Sequence, residues 1–133
     1  IQSCFHFAAA LPKELGQPKE GEQPAAFIIL CTEGRETPWT GIDIGIAVRT
    51  MNLNAYIHGV GSCIIGNVEF EKVKEILSIP ETWIPRLALA LGYPSHKSTI
   101  VALPEDGSVK YYLDEERQYY VPKRKRKDIS IIR

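Results

Sequence analysis

Residues 41–66 read GIDIGIAVRTMNLNAYIHGVGSCIIG, and the other predicted elements are arranged around this stretch. Five of its apolar residues recur three or four positions apart, which is the spacing of one face of an α-helix. They are Ile44, Ala47, Val48, Met51 and Ala55. Other apolar residues spread around the remaining faces, and a helix that is apolar on most sides is typically buried. The pattern predicts a long helix over residues 41–58, placed either in the core or at an extended subunit interface.

The two ends of this helix carry recognisable signals. Thr40 and Asp43 resemble a capping box in which Asp replaces the usual Glu. Gly59 is well placed as the C-terminal cap, because glycine readily adopts the left-handed conformation that ends many helices. Residues 62–65 then form a short strand.

Shorter segments on both sides of the helix predict further strands and a second helix. An apolar run of strand length precedes it at residues 25–32, with the composition of a central strand that is covered on both faces. With 133 residues, of which 44% are hydrophobic, the chain can bury one core, so we expect a single domain over residues 1–133. The remaining predicted elements are a helix at 69–77, a strand at 85–93 and a hairpin of 109–113 with 119–121.

The composition narrows the class of protein. Sixteen basic and sixteen acidic residues cancel, so no net field favours nucleic acid or an anionic membrane as a partner. No window contains the roughly 18 apolar residues that a membrane span needs. Three widely spaced cysteines without a C-x-x-C motif suit a reducing, cytoplasmic location. The chain begins with Ile1 and its only methionine is Met51, so we expect an N-terminal segment to precede Ile1 in the native protein.

Few residues have the spacing of a catalytic or metal site. The cluster of Gly59, Gly61 and Gly66 does not fit a dinucleotide-binding motif. It favours a structural turn, although glycines also let main-chain amides approach a flat or anionic ligand. Cys63 reads best as a small buried hydrophobe, and the three histidines lack metal-ligand spacing. We therefore predict no catalytic side chain and no metal site.

A run of five basic residues follows Pro122 at positions 123–127. Such a run is most often a solvated tail. The alternative is that part of it binds phosphate, since Lys and Arg form charge-assisted hydrogen bonds with phosphate oxygens.

Several short stretches, taken in order, resemble the nitroreductase-like family of FMN-dependent flavoproteins, and in particular a group of small bacterial members. The resemblance covers residues 19–129, and its specificity comes from the order and spacing of the stretches rather than from any one of them. They are PKEGE at 18–22, PAA at 24–26, DIGIA at 43–47, GVGSCIIG at 59–66, ILSIP at 76–80, LGYP at 91–94, KYY at 110–112 and YVPKR at 120–124.

The resemblance implies an α+β fold with a mixed, mainly antiparallel sheet flanked by helices, assembled as a homodimer with FMN at the subunit interface. The residues that it places at the cofactor are Cys63, Ile64, Ile65, Gly66, Lys123 and Arg124. The first four would run beside the flavin ring and contact it through main-chain groups. The last two would reach the FMN phosphate, for which charge-assisted pairing gives a physical reason.

The activity implied by the resemblance is a two-step transfer through the flavin. NADH or NADPH would reduce FMN, and a small acceptor such as a nitroaromatic or a quinone would then take the reducing equivalents. The chain departs from the family in lacking an Arg-rich R-x-S-x-R-type segment that contacts the FMN phosphate. Two alternatives stay open: a non-catalytic dimeric or flavin-free binding protein on the same scaffold, and an anion- or nucleic-acid-binding module that uses residues 123–127.

Overall fold

The computed structural model describes residues 1–131, and residues 132 and 133, the end of the predicted domain, lie outside the described residues. The chain forms two compact units, the first of residues 1–7 and 17–94 and the second of residues 8–16 and 95 onward. A single domain over the whole chain stays a prediction. The elements are α1 (Lys13–Gly16), β1 (Ala26–Glu33), α2 (Thr40–Ile57), β2 (Gly61–Ile65), α3 (Phe70–Leu77), β3 (Trp83–Gly92), β4 (Ser98–Ala102), β5 (Tyr112–Leu113) and β6 (Tyr119–Lys123), with 3-10 turns at Gln2–Cys4 and Arg126–Asp128. Helices with mainly antiparallel strands confirm the predicted α+β class.

The first unit is built on an antiparallel sheet with the strand order β1-β3-β2. The prediction that residues 25–32 form a central strand is wrong, because β1 lies at an edge and β3 lies in the middle. Ala88 of β3 is fully buried and pairs with Ile29 on one side and Ile65 on the other. Pro85 lies beyond the end of β2, which stops opposite Ala88, and beside a register irregularity of β1 between Leu30 and Cys31, where a strand proline is tolerated.

Helix α2 ends as predicted but begins differently. Gly59 has a φ of +73°, and the backbone N–H groups of Gly59 and Val60 donate to carbonyl oxygens of the last turn at 3.0 and 2.9 Å. This is the hydrogen-bond pattern of a glycine-ended helix. The predicted capping box is wrong, because no side chain caps the first turn. The Thr40 hydroxyl oxygen instead accepts a 2.9 Å hydrogen bond from the backbone N–H of Thr37.

One stripe of α2 packs on the sheet, and the opposite face is exposed. Val48 is 3% exposed and lies in a cluster with Leu30 and Leu89 of the sheet. The prediction that α2 is buried on most sides is wrong for the single chain, because the helix packs on the sheet along one face only. Large apolar side chains on the remaining faces are exposed, and they are Ile42, Ile46, Leu53, Tyr56 and Ile57.

The other face of the sheet is covered by α3 and by the N-terminal segment. Val73 of α3 and Phe5 are both almost fully buried, in a cluster that includes Ile65 and Ala88. The Phe5 ring stacks on Phe27 of β1, with ring centroids 3.9 Å apart. The sheet therefore has apolar cover on both faces. Ile65 packs in this cluster and so anchors β2 within the unit.

The second unit contains a smaller mixed sheet with the order β4-β6-β5. The predicted hairpin is confirmed with a shorter first strand, since Tyr112 and Leu113 pair antiparallel with Tyr120 and Tyr119. The parallel pairing of β4 with β6 was not predicted. None of the described helices is long and apolar enough to cross a membrane.

Candidate functional site

Strand β2 carries three of the four residues predicted beside a flavin ring, and Gly66 follows it directly. Because β2 is an edge strand, one of its sides bonds to β3, and the other offers main-chain N–H and C=O groups that pair with no strand of residues 1–131. Its side chains alternate between the sheet faces. Ile65 lies in the cluster with Phe5 and is 4% exposed, whereas Ile64 lies on the α2 face and is 42% exposed. The segment thus combines a buried anchor with an accessible main chain.

The glycines around β2 have distinct roles. A Cβ atom added to Gly61 would lie 3.0 Å from the carbonyl oxygen of Gly92 and 3.2 Å from Cδ of Pro94. The close approach of Gly92 and Pro94 therefore favours glycine at position 61, which supports the structural reading of this turn. At Gly66, a Cβ atom would meet only Leu87, at 3.7 Å. Packing of the chain alone does not explain the glycine at position 66.

Cys63 is exposed rather than buried, which corrects the prediction that it is a small buried hydrophobe. Its register partner is Ala90, so its side chain lies on the sheet face opposite α2. Desolvation raises the pKa of the Cys63 thiol above its ordinary value of 9.0. The thiol is therefore protonated and uncharged near neutral pH, and it places no negative charge beside the main-chain edge of β2.

Two open grooves beside α2 were not predicted. The first has a volume of about 480 Å³ and runs between β1 and the first half of the helix, with Ile44 and Thr32 among its lining residues. The second, of about 470 Å³, lies beside the second half of the helix, and both grooves share Ile28 and Met51. Sequence patterns gave no signal for them. The polar rim of the first groove comes from the irregular turn after β1.

Lys123 and Arg124 lie in the second unit, whereas Cys63 and the residues that follow it lie in the first. Lys123 ends β6 opposite Ala102 of β4, and Arg124 comes directly after the strand. Both side chains are exposed, as is the whole run 123–127. None of these five side chains forms a salt bridge with a residue in the described part of the chain. Their charge is therefore available to an anionic ligand.

Among residues 1–131, no group of three or more His, Cys, Asp or Glu side chains is arranged to hold a metal ion. The ion pairs of the first unit join side chains at its surface. Arg86 pairs with Glu36 and also donates from Nε to the Thr32 hydroxyl oxygen at 2.9 Å. This contact braces the turn after β1 that rims the first groove.

Comparisons with known proteins give two similarities. The sequence model of the nitroreductase family matches residues 5–93, a segment that contains β2 and Gly66 but ends before Lys123. A 59-residue part of the chain is 37% identical to the "FMN reductase (NADPH)" of Bacillus subtilis (strain 168), over 43% of this chain and 24% of that protein. The alignment thus spans about a quarter of the length of that relative.

Proposed function

We propose that this chain, which belongs to the nitroreductase family, is an FMN-dependent oxidoreductase that uses NADH or NADPH as its electron donor. The observation that carries the proposal is the family match, because it extends across the whole of α2 and β2 and includes the exposed main-chain edge. The similarity to an FMN reductase that is named for NADPH supports the same cofactor and the same class of donor.

The residues present fit FMN. The edge of β2 offers main-chain N–H and C=O groups next to Gly66, a residue that has no side chain of its own to hinder a flat ring. Accordingly, Cys63, Ile64, Ile65 and Gly66 would lie along the ring. The exposed cations Lys123 and Arg124 would pair with the phosphate, which needs positive partners that are not already neutralised.

When bound, FMN supplies the hydride and electron transfer between the nicotinamide donor and the acceptor. The chain's contribution is to hold the ring edge by hydrogen bonds, to anchor the phosphate and to keep charge away from the ring at position 63. The proposed acceptors are nitroaromatics or quinones, flat molecules that can stack on a ring. The cytoplasm, which supplies the reduced nicotinamide, is the proposed location.

A homodimer is part of the proposal. The exposed apolar side chains of α2 include Ile46 and Tyr56, which are 61% and 79% exposed in the single chain. A contiguous apolar patch of this kind commonly marks an interaction surface. A second copy would bury it and would give α2 the all-round cover that its composition predicts.

The test is a titration of the full chain with FMN and, separately, with riboflavin, in which flavin fluorescence reports binding. We expect FMN to bind and its yellow absorbance to bleach when NADH or NADPH is added. A variant with Lys123→Gln and Arg124→Gln should bind FMN at least tenfold more weakly, about 1.4 kcal/mol, because two phosphate partners are lost. Its affinity for riboflavin, which has no phosphate, should be unchanged.

Lys19→Gln serves as the matched control, since it removes an exposed cation from the first unit. A folded protein that takes up neither flavin would overturn the proposal and support the flavin-free binding protein instead. Equal weakening of FMN and riboflavin in the double variant would show that residues 123 and 124 do not act on the phosphate.

A further inference from the structure

An aromatic surface lies on one face of the small sheet in the second unit, and the proposed flavin site does not use it. Tyr112 and Tyr120 are register partners across β5 and β6, and their rings stack with centroids 5.2 Å apart and planes 14° from parallel. Tyr112 is 51% exposed. Its ring therefore keeps accessible surface on which a flat ligand ring can stack.

The hairpin loop holds this pair in place. The Tyr120 hydroxyl donates a 3.0 Å hydrogen bond to Oδ2 of Asp114. The other carboxylate oxygen, Oδ1, accepts the backbone N–H groups of Glu116 and Gln118 at 3.0 and 2.9 Å. A surface that is already ordered loses less conformational freedom when a ligand binds than a flexible one does.

Strand β6 carries opposite charge at its two ends. Asp114, Glu115 and Glu116 precede it in the hairpin loop, and the cationic run 123–127 begins at its last residue. Lys123 lies three positions after Tyr120, about 10 Å along a strand. A ligand whose ring stacks on Tyr112 is therefore steered so that its phosphates point toward the cations and away from the acidic loop.

The run contains more cations than one phosphate needs. If Lys123 and Arg124 hold the FMN phosphate, then Lys125, Arg126 and Lys127 still lack a salt bridge to any residue of the described chain. All three are exposed. Neighbouring like charges repel one another, so a second anionic group beside them is electrostatically favoured.

We infer that the Tyr112 surface and residues 125–127 bind the adenosine 2′-phosphate end of NADPH. The adenine stacks on Tyr112, and the 2′-phosphate pairs with the cations that follow Arg124. The inference rests on the proposed function, in which a nicotinamide donor reduces the flavin, and it names NADPH as that donor. NADH lacks the 2′-phosphate and so loses the contacts with the run.

The test uses adenosine 2′,5′-bisphosphate, which has the adenosine 2′-phosphate end and no redox chemistry, with the FMN-loaded full chain in a calorimetric titration. We expect it to bind at least tenfold more tightly than adenosine 5′-monophosphate. Tyr112→Ala should weaken both ligands about fivefold or more, the scale of one base stacked on one aromatic ring. Tyr112→Phe should restore binding, and Tyr93→Ala, at a tyrosine that is 85% exposed in the first unit, should change nothing.

Lys125→Gln combined with Lys127→Gln should abolish the preference for the bisphosphate and leave binding of the monophosphate unchanged. Equal affinity of Tyr112→Ala and the unmodified chain for the bisphosphate would overturn the inference while leaving flavin binding intact. If the chain bound the bisphosphate but took up no flavin, the site could not serve a donor that reduces FMN, and the inference would be overturned. Much tighter, steeply salt-dependent binding of a single-stranded oligonucleotide would also overturn it, in favour of a nucleic-acid partner.

Discussion

The side-chain amide of Asn52 in α2 donates a 2.7 Å hydrogen bond to the hydroxyl oxygen of Ser62 in β2, ten residues along the chain. The Asn52 carbonyl oxygen accepts a hydrogen bond from the Arg49 guanidinium, so both ends of the amide are engaged. The bond is partly buried and joins the long helix to the strand that leads into the proposed flavin contacts. It is a polar tie between the helix and the strand.

Replacing Asn52 by Ala should lower the free energy of unfolding by about 1–2 kcal/mol, because the Ser62 hydroxyl loses its partner in a partly buried place. Asn54→Ala, at an exposed position of the same helix, is the control and should be neutral or slightly stabilising. Urea unfolding of Asn52→Ala, Ser62→Ala and the double variant gives the coupling energy. A coupling near zero would show that the hydrogen bond does not contribute to stability.

Replacing glycine by alanine should change stability in opposite directions at two positions of the segment 41–66. Gly61→Ala should destabilise the chain by about 1–3 kcal/mol, since the new Cβ lies 3.0 Å from a backbone carbonyl oxygen that cannot easily move. Gly45→Ala, inside α2 with nothing within 4 Å, should stabilise it by about 0.5–1 kcal/mol. Thermal unfolding of the two variants should therefore shift in opposite directions. Equal shifts would contradict the packing around Gly61.

The sequence predicts what depends on local spacing. The helix expected over 41–58 is Thr40–Ile57, and Gly59 ends it, because helical periodicity and a glycine stop are properties of neighbouring residues. The strand order of the sheet was missed, since an apolar run is compatible with an edge or a central position until its partners are known. The parallel pairing of β4 with β6 was missed for the same reason.

The exposed face of α2 shows a second limit of prediction from sequence periodicity. An apolar side chain such as Ile46 has the same pattern in a sequence whether it faces a core or another subunit, so periodicity left both possibilities open. Asn52 was missed because a pattern that counts apolar positions passes over a polar residue on the packed side of the helix. The cofactor residues, from Cys63 to Arg124, follow from a resemblance, and their roles stay predictions.

The Asp114 carboxylate should make the hairpin of the second unit sensitive to acid. The backbone N–H of Gln118, aided by the Tyr120 hydroxyl, lowers the pKa of Asp114 below its ordinary value of 3.8. A lowered pKa in the folded state contributes stability above the unfolded pKa, and that stability is lost as pH falls through the folded pKa. We expect the amide chemical shifts of the hairpin to lose their dispersion in this acidic window.

Tyr120→Phe removes one donor and leaves the two backbone donors, so its hairpin should lose less stability on acidification than the unmodified chain does. Asp114→Ala should show no acid transition of the hairpin, because the titrating group is gone. An acid transition of the same size in Asp114→Ala would assign the effect to another carboxylate.

The outer face of α2 should control the oligomeric state. Ile46→Glu or Tyr56→Glu places a charge on an exposed apolar position, which would have to be desolvated if a second copy packs there. We expect sedimentation to give the mass of a dimer for the unmodified chain and of a monomer for each variant, with far-UV circular dichroism unchanged. Ile76→Glu, on α3 at a position that is 55% exposed, is the matched control and should remain dimeric. A dimer that survives both α2 substitutions would place the subunit contact on another surface.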